Sequence, residues 1–406
     1  MIGNSSTANG EFHAFLYSEG EMIDLGTLGG LSSYGAAVND AGQVTGSATT
    51  AEGETHAFLY MDGAMLDLGT ISGAYSKGSD INNQGQIAGI STTPEGETHA
   101  FLYTDGMMLG LGTLGDSYST GDAINEAGQV AGIYSNEYAT HAYLRSEDSS
   151  VPLVAADSSY IQPALRALNA AGEVTGSYRV NGSRRAFLFR NGAAEDLGTL
   201  GGDDSAGFAV NDAADVTGSS TTSDGQSHAF VFADGAMLDV GTLGGDYSIG
   251  YAINAAGHVT GVASTADDEY LPFVYRDGEV VPLDVRVLGA TEGVGYAINE
   301  AGQVAGWYRA FGVFEPHTRA FIATPIDVLL TRLLEKVREL RPGGSLVGKL
   351  ESALEHYDAE NLGGSCGGLG GFVNQVGAQA EKLLGRADAD ALEREAVAIR
   401  DALGCG

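Results

Sequence analysis

The sequence predicts a mainly β protein. We expect a β-propeller of seven, or alternatively eight, four-stranded blades over residues 1–325, followed by a small all-α helical bundle over 326–406. Three observations carry this expectation. A set of motifs recurs about every 43 residues as far as Phe321. Each period divides into four short strand-like segments, and the apolar spacing turns helical after residue 325.

The period is read from four anchors that keep one order. An aromatic inside an apolar pentad stands at Phe15, Phe58, Phe101, Tyr143, Phe187, Phe230, Phe273 and Phe321. Five of these pentads open with histidine: His13, His56, His99, His141 and His228. Ala-Ile/Val-Asn or a close variant recurs at Asn39, Asn82, Asn125, Asn169, Asn211, Asn254 and Asn299. A Q-V-T-G-like stretch ends in Gly46, Gly89, Gly132, Gly176, Gly218, Gly261 and Gly306. D-L-G-T-L-G-G is clean at Asp24–Gly30, with close copies beginning at Asp67, Asp196 and Asp239.

Each anchor predicts its own element. His56-Ala-Phe-Leu-Tyr60 is a β-rich run, and Asp62-Gly63 after it is hairpin-turn chemistry. Met65–Leu68 alternates, Asp80–Asn82 leads into the Asn-Asn-Gln-Gly turn, and Gln86–Ile90 follows as another strand. Four strands of about five residues plus turns fill a propeller blade of ~40–50 residues. Two coils of a parallel β-helix would also fit the length, but the hairpin turns favour antiparallel pairing. Glycines inside strand-like stretches mark close backbone approach, so Gly46 and its copies are expected to be structural.

The V-T-G and H-A-F strands occur eight times and the other two seven, because Ile2–Thr7 already reads as a V-T-G strand. Seven blades with a spare hairpin, or eight with an upstream half missing, both satisfy this count. A truncated N-terminus is therefore one expectation, and no signal-peptide pattern opens the chain. The fourth period replaces D-L-G-T-L with Val151–Ala155, and the seventh is lengthened around Trp307, the only tryptophan.

Beyond residue 325, Ile326, Leu329, Leu330, Leu333, Leu334, Val337 and Leu340 form a helical stripe. Ser345 is a candidate cap for a second helix, a third is expected over Leu369–Leu384, and a fourth after Asp390. The only two cysteines, Cys366 and Cys405, both fall here. With a distant His356 they are too few for a metal site, which favours a disulfide.

Composition narrows the partners. There are 61 glycines in 406 residues, without the triplet period of collagen, and the formal net charge is −33. All but 4 units of that excess lie in the repeats. Such a surface repels phosphate backbones and anionic headgroups, so neither nucleic-acid binding nor peripheral membrane binding is expected, and with no stretch of 18 apolar residues no membrane insertion is expected either. With only four lysines, the acidic surface suits high salt, or simply high solubility.

The repeats resemble the HAF family of extracellular repeats on the stretches His13–Tyr17, Asp24–Gly30, Ala37–Asn39 and Gln43–Gly46 with their later copies. The tail resembles the FIMAH domain, a helical module of secreted prokaryotic proteins. Its carriers are Gly348–Leu350, Cys366, Gly371–Val376, Asp390–Leu392 and Leu403–Cys405. Both resemblances imply secretion or surface display, and neither implies an activity.

No nucleophile elbow, Walker loop, H-E-x-x-H or Cys-x-x-Cys pair is present. One histidine per blade is spread out rather than converged, and Arg185, Leu271 and Arg319 replace it, so the five histidines read as structural. Carboxylates at Asp24, Asp67, Asp196, Asp239 and Asp284 read as turn caps. No calcium-loop spacing appears, so calcium is the weaker possibility and no cofactor is expected. The aromatic insert offers the candidate interaction residues Trp307, Tyr308, Phe311 and Phe314, whose alternative role is packing. Together these features predict a non-catalytic extracellular or cell-surface scaffold for an unidentified protein or carbohydrate. The alternative is a propeller enzyme, a glycoside hydrolase or lyase, acting on extracellular polysaccharide.

Overall fold

In the computed structural model, the described residues are all except 19, 113–117, 138–139, 147–148, 154–163, 284, 286–289, 312–315, 325, 341–343, 359–360, 380–383, 385, 404 and 406. The protein is mainly β, with four helices at the C-terminal end. Two compact units divide the chain. One contains Met1–Ile298 and Ala305–Phe321, the other Asn299–Val304 and Ile322–Gly406.

The first strands are β1 (Ile2–Ser6), β2 (Phe12–Ser18) and β3 (Glu21–Asp24), followed by β4 (Gly29–Val38), β5 (Val44–Thr50), β6 (Thr55–Met61) and β7 (Ala64–Asp67). The strands β4 to β7 form one complete repeat, an antiparallel meander in chain order. This pairing excludes the parallel β-helix. Gly35 lies opposite Gly46, Gly46 opposite Phe58, and Phe58 opposite Asp67. One residue from each of three sequence motifs, together with Gly35 two residues before Ala37-Val38-Asn39, therefore occupies a single row across the sheet. The fifth repeat has the same row in Gly207, Gly218, Phe230 and Asp239.

The row explains its glycines. A Cβ at Gly46 would overlap the Tyr34 carbonyl oxygen and press on the Phe58 ring; one at Gly89 would meet the Lys77 carbonyl and the Phe101 ring. Gly132, Gly218, Gly261 and Gly306 face the carbonyls of Thr120, Ala206, Ile249 and Val294 in the same way. Gly176 holds the same place opposite Phe187. The turns joining third to fourth strands take left-handed backbone at Asp62-Gly63, Asp105-Gly106, Asn191-Gly192, Asp234-Gly235 and Asp277-Gly278, and Asn181-Gly182 does the same between second and third strands.

The apolar core is built between repeats rather than inside them. Ala57, Leu59 and Leu68 of one repeat pack with Ile81, Ile87 and Phe101 of the next. Ala229, Val231 and Val240 pack likewise with Val259, Ala263 and Phe273. A single meander cannot cover both of its faces, so each repeat depends on its neighbours.

The helices are α1 (Ile326–Leu340), α2 (Gly344–Asp358), α3 (Leu362–Gln379) and α4 (Arg386–Ala402). They enclose one core that includes Leu330, Leu333, Val337, Leu350, Phe372 and Ile399. Cys366 and Cys405 form a disulfide with Cα atoms 5.6 Å apart. Three sequence expectations need correction. Ser345 lies inside α2 and donates to Gln375 Oε1 at 2.9 Å instead of capping the helix. The fourth helix starts at Arg386, before Asp390. The third starts at Leu362, not Leu369, and runs through seven glycines. Asn361 caps it, its Oδ1 accepting the Gly364 N–H at 3.0 Å. The glycines let α3 approach α2 closely: a Cβ at Gly368 would come within 2.9 Å of the Ala353 methyl and 3.0 Å of the Lys349 carbonyl oxygen.

Candidate functional site

Most of the repeated polar side chains are committed to holding the repeats together. Ser33 accepts the Ala14 N–H and donates to the Gly26 carbonyl. Ser76, Ser119, Ser205 and Ser248 each make the same two bonds one period further on. All five serines are essentially fully buried. Each ties the third strand of one repeat, and the turn after its fourth, to the first strand of the next. The sequence reading missed this row, although S-x-G before the Asn motif is visible once its role is known.

The asparagines form a ladder. Asn39 Nδ2 donates to Gln43 Oε1 within its own turn and to the Asn82 carbonyl in the next repeat, at 2.7 and 3.0 Å. Asn82, Asn125, Asn169 and Asn211 pass the bond onward to the carbonyls of Asn125, Asn169, Asn211 and Asn254 at 2.9–3.1 Å. Each Oδ1 meanwhile accepts N–H groups of its own turn, so these amides are occupied.

The histidines pair with the recurrent aspartates. His13, His56 and His228 place Nδ1 2.9 Å from the carboxylates of Asp24, Asp67 and Asp239. Those aspartates, and Asp196, also cap the turn that follows by accepting the N–H of Gly26, Gly69, Gly241 and Gly198. At Asp24, slight burial works upward, but the Gly26 N–H and His13 outweigh it and hold the carboxyl below its ordinary range. Where glycine or proline replaces the aspartate, that partner is lost and the histidine keeps other contacts, as His56 also has with Glu54 at 3.3 Å. His99 lies 3.3 Å from Glu97, and His141 stacks on Tyr134 with ring centroids 4.9 Å apart. Asp284 falls outside the described residues. Among the described residues no group of three or more His, Cys, Asp or Glu is arranged to hold a metal ion.

The insert residues separate. Tyr308 is buried with Leu271, Val285 and Ala290 and packs against Phe321, ring centroids 6.4 Å apart. Trp307 is half-buried on the same strand, Val304–Phe311. The Phe311 side chain and all of Phe314 lie outside the described residues.

Two local departures from the repeat remain. In the third repeat the first strand is broken into Tyr118–Ser119 and Ala123–Ile124. Thr120 in the gap donates to Asp122 at 2.9 Å, and Tyr143, in place of the usual phenylalanine, donates to the Thr120 carbonyl at 2.7 Å. Burial pushes the Tyr143 phenol far above its ordinary range, with the Asp122 charge adding to the effect. Asp80 replaces a recurrent alanine on the neighbouring first strand, and its carboxylate accepts Ile81 N–H and, across the junction, Ile124 N–H, both at 2.9 Å.

The second departure is an aromatic ladder on the first strands of the fifth, sixth and seventh repeats. Phe208 and Tyr251 have ring centroids 5.9 Å apart, and Tyr251 and Tyr296 5.3 Å. The first two are half-buried and Tyr296 is 53% exposed. The same register position holds Ala36, Ser79 and Asp122 in the first three complete repeats, so the ladder belongs to one end of the array. Sequence reasoning missed it because nothing about these three residues repeats over the whole chain.

No protein-family model and no curated protein matches the chain. Among solved structures it is similar to TolB from Acinetobacter baumannii, at 14% identity over 63% of this chain and 73% of that one, with a TM-score of 0.36. A puromycin hydrolase S511A mutant is 13% identical over 75% of this chain and 56% of that one, TM-score 0.40. The fucose-specific lectin from Aleuria aurantia is 10% identical over 60% and 92%, TM-score 0.30. At these scores none of them lends its activity to this chain.

Proposed function

We propose that the protein is an extracellular or cell-surface binding scaffold. Its repeats would form a HAF-type β-propeller of seven or eight blades, followed by a FIMAH-like helical module, and it would hold a carbohydrate or protein partner without catalysis. The aromatic ladder carries this reading. The recurring serine, asparagine and histidine–aspartate positions are spent on structure, whereas Phe208, Tyr251 and Tyr296 present adjacent rings partly open to solvent. Stacked ring faces suit the apolar faces of sugars or of flat side chains. The disulfide agrees with an oxidising compartment. No described helix is long and apolar enough to cross a membrane.

The test is affinity electrophoresis against a panel of neutral polysaccharides, using the full chain and a Tyr251→Ala/Tyr296→Ala variant. Retardation by one polysaccharide, lost in the variant at unchanged melting temperature, is the expected result. Equal retardation of both proteins would remove the ladder from the binding site.

The enzymatic reading has one observation in its favour, two carboxylates on adjoining first strands: Asp80, which accepts the Ile124 N–H, and Asp122, whose charge acts on Tyr143. It requires release of reducing ends from a polysaccharide, abolished by Asp122→Asn.

A further inference from the structure

Cations are rare in the repeats and unevenly placed. Lys77 is the only lysine or arginine before Arg145, and none stands between Arg190 and Arg276. Four arginines nevertheless fall on one hairpin of the fourth repeat, Val174–Val180 and Ser183–Arg190. Three of them, Arg179, Arg184 and Arg185, flank a turn whose counterparts in other repeats are acidic. Glu52 and Glu54 stand there in the first repeat, Glu95 and Glu97 in the second, and Asp267, Asp268 and Glu269 in the sixth.

The hairpin sets two of these arginines face to face. Asn181 and Gly182 form its two-residue turn, Val180 lies opposite Ser183, and Arg179 lies opposite Arg184. In such a hairpin the pair beside the turn exchanges backbone hydrogen bonds and the next pair exchanges none. Side chains of that next pair are the closest across the ladder, on Cα atoms about 4.5 Å apart. The Arg184 N–H accordingly points outward and donates to Asp204 Oδ1 at 2.6 Å. Both arginines are exposed, and like charges directly opposite one another destabilise a strand pair. Among the described residues neither guanidinium forms an ion pair, whereas Arg190 on the same strand pairs with Glu195 at 2.7 Å. Arg179 Nη1 reaches only the Gly182 carbonyl, at 3.1 Å.

We propose that Arg179 and Arg184 form a site for one oxyanion, the carboxylate or sulfate of an acidic sugar in a sparsely charged glycan. Paired guanidinium forks match the oxygens of such a group, and its charge relieves the repulsion between them. The surroundings admit one anionic group at a time. Asp204 and its neighbour Asp203 lie beside the hairpin, and the matching turns of the third and fifth repeats carry Glu137 and Asp224. A nucleic acid or a heavily sulfated chain would set its further charges against these carboxylates. At physiological ionic strength charges beyond about 8 Å are largely screened, so the pair and its immediate neighbours, not the net charge, decide what settles here. Taking a sugar as the carrier of the anion rests on the carbohydrate reading above, but the site stands on a different repeat from the aromatic ladder.

The test follows the Gly182 and Ser183 amides of the full chain by NMR. Free glucuronate and galactose sulfate supply the two anions, and glucose is the uncharged probe. Saturable shifts are expected with at least one of the two acids and none with glucose, and the tighter acid identifies the anion. Arg179→Gln/Arg184→Gln should weaken the response at least fivefold. Arg338→Gln, at an exposed arginine already paired with Glu351, should leave it unchanged. The Tyr251→Ala/Tyr296→Ala variant should also respond in full, so failure of this site and failure of the ladder are read separately. No saturable shift with either acid, an equal response to glucose, or full binding by the double glutamine variant would each overturn the proposal. So would a heparin hexasaccharide that binds at least tenfold more tightly than the single sugars.

Discussion

Glycine serves the two units of this protein in opposite ways. In the repeats, Gly46 and its copies admit a neighbouring strand's carbonyl oxygen at one fixed row, and the same contact is rebuilt about every 43 residues. In the helical unit, Gly364 and Gly368 admit a whole helix, bringing α3 against His356 and Ala353 of α2. The repeats are held by many small ties that each reach one neighbour. The helical unit has one shared core and one covalent staple. Stability in the first should therefore be local and graded, and in the second collective.

The largest effect expected from this contrast is at the staple. Cys366 and Cys405 are 39 residues apart, and closing a loop of that length stabilises by about 4 kcal/mol in the chain-entropy picture. Cys405→Ser should loosen all four helices together, visible as one cooperative loss of hydrogen-exchange protection over residues 326–402, with protection in the repeats unchanged. Protection lost only next to Cys405 would show that the helical core does not unfold as a unit.

A smaller and more confined effect is expected at the buried serines. Ser76→Ala leaves the Ala57 N–H and the Gly69 carbonyl without their partner, a loss of about 1–3 kcal/mol. Exchange should accelerate in Thr55–Met61 and Ser76–Ile81, the two strands the serine joins, and stay unchanged beyond the next repeat. Loosening that spread evenly along the array would contradict nearest-neighbour coupling.

What could be read in advance follows the same division. The period, the strand order and the hairpin turns at Asp62-Gly63 and its copies were legible because each depends on residues whose neighbours in sequence are neighbours in space, and the Cys366–Cys405 pair because the chain has only two cysteines. The start of α3 was not. Leu362–Gly371 reads as a breaker by propensity, and only packing against α2 and the Asn361 cap make it helical. The serine row was hidden because a serine near glycines reads as turn chemistry, while its two partners lie 7 and 19 residues upstream. The aromatic ladder was hidden for another reason: a search for what repeats passes over what three repeats have and the others lack.

The smallest effect, and the finest test of local coupling, concerns Asp80. Burial raises its pKa; the N–H groups of Ile124 and Ile81 work against that, and the nearby Glu126 carboxylate adds to it. The folded state therefore holds the Asp80 proton more tightly than the unfolded chain does. The stabilising contribution is complete below the unfolded value, near 3.8, and is lost as pH rises through the raised folded value. Asp80→Asn removes this titration while keeping one oxygen for one of the two backbone donors. Measured by urea unfolding between pH 4 and 7, the variant should gain on the wild type as pH rises, since only the wild type then carries a desolvated charge. A stability difference that does not vary with pH would mean that the charge at this junction is already well solvated, and that the Ile124 N–H bond alone decides why aspartate stands where six other repeats have alanine.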